Sequence, residues 1–334
     1  MKIKTLSEFV EALAKVGECE KGKTRFFRGH SNIDYKLQPS IYRSNHLIAN
    51  EHNIIKDVLT ECHEYFSPHD TLFDKLVKMQ HYGYPTRLLD ITYNALVALY
   101  FSVSKIDGTD GEVIVFDIPN DKLKYHDSDT VAILSAISLQ DKDFQSDNLS
   151  IESQYKMGRE KVLLLKEEHE MIEYLQKNNN DLLLEFQQII KEMHELPKDE
   201  QFNISKDITV KEYNSQKHII KLLNDVRKDK PSFLPIIQRV DLSRVLCVKP
   251  KANNSRIIRQ QGAFLIFGIN DKKINQADLN PEWIVSQQEK KLIIDAKSKV
   301  SILNELKSFG INHQTLFPEL DQQAEHIIAR YKES

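Results

Sequence analysis

Apolar positions along the chain repeat with two different periods. Steps of three and four residues predict amphipathic helices, whereas alternation or short apolar runs between turn residues predict strands. The helical spacing predicts helices over residues 5–16, 48–66, 73–79, 95–103 and 298–310, and a last helix after Pro318. Runs rich in β-branched and aromatic residues predict strands over 25–28, 111–119, 244–250, 262–270 and 291–296, an extended piece at 37–43, and a strand or buried turn at 86–91.

The order of these elements favours an α+β fold. Helices and strands are interspersed without the regular strand–helix–strand rhythm of a doubly wound sheet. We therefore expect a single mixed-sheet core, built from residues 1–140 and 227–334 as one domain.

The stretch between these two parts, residues 141–226, differs in character. It is rich in acidic residues, and a polar run at 178–181 could cap a second helix. The pattern predicts a helical insertion that is peripheral and dispensable for folding of the core. The alternative is that residues 150–226 contact a partner or a second copy of the chain. The apolar positions at helical spacing are Leu182, Phe186, Ile189, Met193 and Leu196.

Composition narrows the class of protein. The chain has 334 residues, a net charge of −3 and three widely spaced cysteines, which fit a reducing compartment rather than a disulfide framework. Its N-terminus lacks the pattern of a secretory signal, and no apolar run approaches the ~20 residues that a membrane span needs. We expect a cytoplasmic protein without a membrane partner.

The standard signatures of nucleotide and metal sites are absent from the sequence. It has no GxGxxG, GxxxxGK[ST], HExxH or CxxC. Cys62, His63, His69 and Asp70 lie close together, but their spacing matches no metal motif. The sequence therefore predicts no metal site.

Basic residues concentrate in two segments of this mildly acidic chain. Residues 21–43 carry six Lys or Arg against one Asp, and residues 226–259 carry nine against two. Brought together by the fold, the two segments would form an anion site, because the planar guanidinium of arginine suits phosphate or carboxylate. The arginines beside apolar or aromatic neighbours are Arg28, Arg43, Arg87, Arg256 and Arg259.

Polar side chains also interrupt the apolar stretch at residues 78–102, at the mouth of a predicted buried helix. We expect this mouth to be one wall of a polar pocket, with residues 27–29 (FRG) and 259–262 (RQQG) as the other walls. The catalytic candidates are Arg28, His81 and Gln261. The ligand-binding candidates are Gly29, Arg43, Gln80, Tyr82, Thr86, Arg87, Asp90, Arg259 and Gln260.

Several of these residues also have a structural interpretation. A buried arginine needs a partner, because an unpaired buried charge costs on the order of 3–5 kcal/mol. Asp90 is a possible partner for Arg87, and His81 could be a core histidine with satisfied hydrogen bonds. Arg28 has no acidic residue close in sequence before Asp34, and Gly29 would let another molecule approach the backbone.

Five motifs in order resemble the FRG domain family, from about residue 24 to residue 324. They are FFRGH, LQPSIYR, QHYGYPTRLLDITYNALVALYFS, RIIRQQGAF and GINHQTLFPELD. Proteins of this family are bacterial and phage-associated and are found near defence and toxin-like genes. The resemblance therefore implies a defence- or toxin-associated protein, and it locates the site better than it names the reaction.

The aromatic-Arg-Gly sequence on an early strand is similar, more weakly, to the first motif of ADP-ribosyltransferases. That similarity implies an ADP-ribosyltransferase-like fold and NAD as the bound nucleotide, with Arg28 on its phosphate. Those enzymes place a glutamate late in the chain to hold the ribose, and Gln261 would take that place here. The implied function is transfer of ADP-ribose to a macromolecular acceptor, either protein or nucleic acid. The alternatives are a non-catalytic sensor of a phosphate ligand, signalling through the helical insertion, and an enzyme acting on nucleic acid.

Overall fold

The structure, a computed structural model, describes residues 2–146, 210–211, 213–287 and 290–332. Its strands are β1 (Lys23–His30), β2 (Leu88–Thr92), β3 (Gly111–Pro119), β4 (Leu123–Tyr125), β5 (Val245–Lys249), β6 (Gly262–Phe267), β7 (Ile269–Asn270), β8 (Lys272–Gln276) and β9 (Leu292–Ile294). Its helices before the predicted insertion are α1 (Leu6–Val16), α2 (Asn45–Ala49), α3 (Glu51–Glu61), α4 (Leu72–His81), α5 (Ala95–Val103) and α6 (Asp129–Ala136). The helices from residue 217 onward are α7 (Lys217–Asp229), α8 (Arg239–Leu242), α9 (Ser255–Gln260), α10 (Lys299–Ser308), α11 (His313–Leu316) and α12 (Leu320–Lys332).

Seven of these strands form one curled sheet in the order β4-β5-β6-β2-β1-β3-β9. The β4–β5 pair is parallel and the other pairs are antiparallel, so the sheet is mixed. Strands β7 and β8 form a separate hairpin. The α+β class and the single mixed sheet are therefore confirmed.

The centre of the sheet is weakly paired. Strand β1 pairs with β3 along its whole length, and β2 pairs with β6 along its whole length. Between β1 and β2, the described residues form one antiparallel pair, Phe27 with Thr92. The two strands therefore separate on either side of this pair and leave a gap in the middle of the sheet.

The core lies on both faces of the sheet. On one face, helices α3, α4, α6 and α7 cover β2, β5 and β6, while α1, α5 and α10 cover β1, β3 and β9. The opposite face is covered by the 3-10 turn Ser40–Arg43, by α2 and by Trp283. Most strand residues alternate between these clusters, so both faces of the sheet are buried.

The helices predicted from the periodicity are present except between residues 37 and 66, whereas α6 and α9 were not predicted. The pattern predicts an extended piece followed by one helix over 48–66, but the chain forms a 3-10 turn at Ser40–Arg43 and two helices that meet at Asn50. Asn50 has φ of −107° and ψ of 10°, outside helical values, so it ends α2 and begins α3. Asparagine is a common residue at such breaks because its side chain competes for backbone hydrogen bonds.

Part of the predicted insertion belongs to the core. Ile219, Leu222 and Val226 on the apolar face of α7 are fully or almost fully buried, in one cluster with α4 and α6. These residues exclude water from the main core, and the domain boundary at residue 226 stays a prediction. Residues 147–209 of the insertion, with the apolar positions from 182 to 196, lie outside the described residues.

Candidate ligand-binding cleft

A cleft of about 220 Å³ opens where β1 and β2 separate, on the face of the sheet that α4 and α5 cover. The register of the strands places Phe27, Asp90 and Phe264 on this face. Residues from α4, α5 and α9 complete the walls. The lining residues are Phe27, Arg28, Gly29, Gln80, Asp90, Ile91, Thr92, Val97, Phe101, Arg256, Ile257, Gln260, Gly262, Ala263 and Phe264.

Arg28 extends from β1 across the gap to β2. Its Nη1 donates to the backbone carbonyl of Asp90 at 2.6 Å and lies 3.9 Å from Asp90 Oδ2, and its Nε donates to His30 Nε2 at 3.0 Å. The side chain is 15% exposed. Burial lowers the pKa of Arg28, but a guanidinium titrates so far above neutrality that it stays charged. A charged group thus spans the gap that backbone pairing leaves open.

Among the described residues that line the cleft, Asp90 supplies the carboxylate. Its side chain is 58% exposed. Gln80 Nε2 donates to Asp90 Oδ2 at 2.9 Å, and Thr86 Oγ1 donates to Gln80 Oε1 at 2.8 Å. Thr86 is fully buried, and its Oγ1 also accepts from the Leu88 amide. Thr86 therefore orients the Gln80 amide, which in turn holds Asp90, and Thr86 itself does not line the cleft.

Helix α9 forms the opposite wall through Arg256 and Gln260. These residues are four positions apart and so share one helix face. Gln260 Nε2 donates to the Leu316 carbonyl at 3.1 Å, and Thr92 Oγ1 donates to the Gln260 carbonyl at 2.7 Å. Arg256 is among the arginines expected to form an anion site but not among the ligand-binding candidates, although its spacing from Gln260 would have indicated it.

Five of the candidate residues line the cleft, namely Arg28, Gly29, Gln80, Asp90 and Gln260. The others, Arg43, His81, Tyr82, Thr86, Arg87, Arg259 and Gln261, do not. Each of the three expected walls, residues 27–29, 78–102 and 259–262, contributes to the lining. Arg256, Ile257, Ala263 and Phe264 line it as well.

Arg87 requires a correction, because it is fully buried and held in an ion pair. Its Nε and Nη2 donate to the Glu51 carboxylate at 3.0 and 2.5 Å, and its Nη1 donates to the Phe267 carbonyl at 3.0 Å. The fully buried Lys273 lies 3.3 Å from the same carboxylate, and burial lowers the pKa of Lys273 to about 8. Arg87 is thus enclosed by protein partners and is not available to a ligand, and its acid is Glu51 rather than Asp90.

Gln261 also lies away from the cleft. It ends α9 in the left-handed conformation, with φ of 47°, and its side chain is exposed. The backbone turns there so that Gly262 can enter β6, and this turn directs Gln260 to the cleft. Arg43, Tyr82 and Arg259 are exposed outside the cleft.

His81 does not line the cleft and instead contacts the C-terminal part of the chain. Its Nε2 lies 2.7 Å from Glu319 Oε1, and its backbone carbonyl accepts from Arg256 Nη1 at 3.3 Å. The structural interpretation of His81 thus has defined partners, and the catalytic role stays a prediction.

Gly29 is needed for packing of a helix against β1. A β-carbon at this position would overlap the Ala98 carbonyl oxygen and would lie 2.7 Å from the Ser102 nitrogen, both in the backbone of α5. The space that the missing side chain leaves is therefore filled by α5. The sequence had suggested that another molecule would approach the backbone here.

His30 is buried behind Arg28 and is neutral. Burial, followed by the charges of Arg28 and Arg43, lowers the pKa of His30 to about 3. Its Nε2 accepts the hydrogen bond from Arg28, which requires the neutral ring. The histidine therefore holds the guanidinium in place as an acceptor.

This arrangement predicts a loss of stability in acid. The unfolded chain binds a proton at His30 near pH 6.5, whereas burial lowers the pKa of His30 in the folded chain to about 3. The contribution of neutral His30 to the stability of the fold is therefore complete above pH 6.5 and is lost as the pH falls toward 3. Urea unfolding at several pH values should show the wild type losing stability faster than His30→Gln, which cannot titrate. Parallel profiles for the two proteins would contradict the burial of a neutral His30.

Within the described residues, no helix is long and apolar enough to cross a membrane. The same residues contain no group of three or more Cys, His, Asp or Glu side chains arranged to hold a metal ion.

Comparison with known proteins relates part of the chain to a protein family. The family model of the FRG domain matches residues 23–111. No curated protein and no solved structure matches the chain. The matched segment runs from β1 to the start of β3 and contains Arg28, Gly29, Gln80 and Asp90 of the cleft. The chain therefore matches the FRG domain over residues 23–111, a segment that contains the first three of its five motifs.

Proposed function

We propose that the protein is a defence- or toxin-associated effector that binds NAD or a related nucleotide in this cleft and transfers ADP-ribose to a macromolecular acceptor. The observation that carries the proposal is Arg28, which lies beside the exposed carboxylate of Asp90 in one cleft. The aromatic-Arg-Gly sequence on β1 supports the finer similarity to the ADP-ribosyltransferase fold.

The composition of the cleft suits a nucleotide. Phe27, Val97 and Phe101 offer apolar surface for a ring, and Arg28 offers charge-assisted donors to a phosphate. The amides of Gln80 and Gln260 are neutral groups that can bind hydroxyl or base edges. A few convergent polar groups on an apolar lining are typical of small-molecule sites.

The size of the cleft limits how much of the ligand it holds. Its volume of about 220 Å³ is below the ~300–1,000 Å³ common for sites that enclose a drug-sized ligand. The cleft therefore holds only part of NAD, and the remainder of the molecule extends over the rim.

Asp90 takes the role that the sequence assigned to Gln261. Gln80 holds its Oδ2, and no described residue donates to Oδ1, which can accept from a ribose hydroxyl. In the reaction, the bond between ribose C1′ and the nicotinamide nitrogen breaks, and its electron pair leaves with nicotinamide. The nucleophile of the acceptor bonds to C1′ and releases a proton, while the negative charge of Asp90 stabilises the positive charge that develops on the ribose.

Arg28→Ala and Arg28→Lys should each raise the Kd for NAD by on the order of 10–100-fold, the equivalent of one charge-assisted contact of ~1.5–3 kcal/mol. Lysine should fail because a point charge does not reproduce the planar fork. The melting temperature should fall because the buried His30 Nε2 loses its donor. The fall should be smaller than for a buried ion pair, since the carboxylate of Asp90 is 58% exposed. Arg259→Ala, an exposed arginine outside the cleft, is the matched control and should bind NAD normally.

Transfer is tested by incubating the protein with labelled NAD and cell extract while nicotinamide release and label transfer are followed. Asp90→Asn should abolish both and retain NAD binding within a few-fold. Binding of NAD by the wild type without nicotinamide release would reject the transferase and favour the ligand sensor. Unaltered NAD binding by both Arg28 variants would reject this cleft as the NAD site.

A further inference from the structure

A second cavity lies beside the cleft, between α4 and the segment of residues 250–257 that leads into α9. Its volume is about 110 Å³, and Ile257 lines both this cavity and the cleft. On α4, Val77 and Lys78 line the cavity and Gln80 lines the cleft, so two or three residues, about 3–5 Å of helix, separate the two spaces. A ligand that extends from the cleft past Ile257 therefore enters the second cavity.

Two contacts hold the walls of this groove together. Lys251 Nζ lies 2.7 Å from Asp74 Oδ2, and Arg256 Nη1 donates to the His81 carbonyl at 3.3 Å. Asp74 and His81 are about 10 Å apart along the axis of α4, since each helical residue advances the chain by about 1.5 Å. The groove is thus bridged near both ends, and its shape is set before a ligand binds.

The charged side chains that line the second cavity balance one another. Its two carboxylates are Asp70 and Asp74, and its two cations are Lys78 and Lys251. Asp74 already accepts from Lys251, and Lys78 Nζ donates to the Tyr65 carbonyl. The described lining therefore has no excess of positive charge to attract a phosphate, in contrast to the surroundings of Arg28 in the cleft.

Two side chains of the same lining have hydrogen-bonding groups that the described residues do not use. Asp70 Oδ2 accepts from the Ser67 amide at 3.0 Å, and no described residue donates to Asp70 Oδ1. The side-chain amide of the exposed Asn253 has no hydrogen-bond partner among the described residues. A carboxylate acceptor and an amide in one small cavity suit sugar hydroxyls, because a hydroxyl both donates and accepts.

We propose that the second cavity binds the ribose hydroxyls of the adenosine half of NAD and makes the protein selective for NAD over NADP. This inference deepens the proposed function and rests on it, since it concerns the part of NAD that the cleft does not hold. Asp70 is the specificity-determining residue. Its carboxylate accepts from a ribose 2′-hydroxyl but repels the 2′-phosphate of NADP, which carries negative charge where the hydroxyl donated.

The experiment measures the Kd values of NAD and NADP by calorimetry at fixed salt. The wild type should bind NAD about tenfold more tightly than NADP, as expected for one charge-assisted contact. Asp70→Asn should reduce that preference to about twofold, because the amide keeps the shape and can still accept from the Ser67 amide but has no negative charge. Asp57→Asn makes the same change at an exposed aspartate outside both cavities and should retain the preference.

A ligand without the adenosine half tests whether the second cavity holds that half. Asn253→Ala should weaken NAD binding about threefold, the equivalent of one neutral hydrogen bond, and should leave the affinity for nicotinamide mononucleotide unchanged. Melting temperatures show that each variant folds. A wild type without preference for NAD over NADP would overturn the inference, as would a preference that survives in Asp70→Asn or an equal loss of both ligands in Asn253→Ala.

The outcomes separate this inference from the transferase proposal. A preference for NAD that depends on Asp70, together with no nicotinamide release, supports the second cavity and rejects only the reaction. NAD binding that depends on Arg28 but not on Asp70 or Asn253 supports the cleft and rejects the second cavity. Absence of binding by NAD and by nicotinamide mononucleotide rejects the nucleotide cleft and this inference together.

Discussion

Gly29→Ala should destabilise the protein by about 3 kcal/mol, the upper part of the range for forcing extra atoms into a packed core. The added β-carbon would overlap the backbone of α5 at Ala98 and Ser102, and a backbone cannot move aside as the end of a flexible side chain can. Helix α5 would have to shift from β1, and with it the wall of the cleft that carries Val97 and Phe101. Urea denaturation gives the loss directly.

Gly262→Ala is the matched control for this change. Gly262 also lines the cleft and also lies on a central strand, but its nearest atom to an added β-carbon is 3.7 Å away, an ordinary contact distance. We expect Gly262→Ala to remain within about 1 kcal/mol of the wild type, since alanine also loses less backbone entropy than glycine on folding. Equal losses for the two variants would show that close packing of α5 is not the reason for glycine at position 29.

Glu51→Gln should cost on the order of 3–5 kcal/mol, because it leaves buried cations without their acid. Glu51, Arg87 and Lys273 are all fully buried, and the one carboxylate serves both cations. Glutamine preserves the shape of the side chain, so the loss measures charge rather than a cavity. Thermal or urea unfolding at pH 7 provides the comparison.

Two further variants calibrate that result. Lys273→Met leaves Glu51 and Arg87 as a matched pair and should cost less than Glu51→Gln. Lys221→Ala removes an exposed ion pair with Asp141, whose side chains are 54% and 50% exposed, and should change stability by less than about 1 kcal/mol. A Glu51→Gln variant as stable as Lys221→Ala would contradict the buried network.

Local pattern was sufficient for most of the fold. The apolar face of α1 and the run at 111–119 each bury a defined set of side chains, and such sets are visible in sequence. The class of the fold followed from the order of these elements. The register of the strands depends on which segments meet, and periodicity does not report that.

The errors in the predicted site residues arise for the same reason. Arg87 lies just before β2 and is fully buried against Glu51, whereas Asp90 lies within the strand and lines the cleft. Glu51, the partner of Arg87, is 36 positions away in sequence and is brought near only by the packing of α3. The choice between Gln260 and Gln261 depends on one left-handed residue, which a non-glycine position rarely signals.

The single backbone pair between β1 and β2 leaves the centre of the sheet to be held by side chains. One buried cluster spans this junction and contains Phe26 and Ile114 on one side and Leu89 and Leu265 on the other. A substitution in this cluster that shifts β1 relative to β2 would therefore alter ligand affinity without touching a lining residue. In evolutionary terms, ligand range in such a sheet can change through remote packing while the residues of the cleft stay the same.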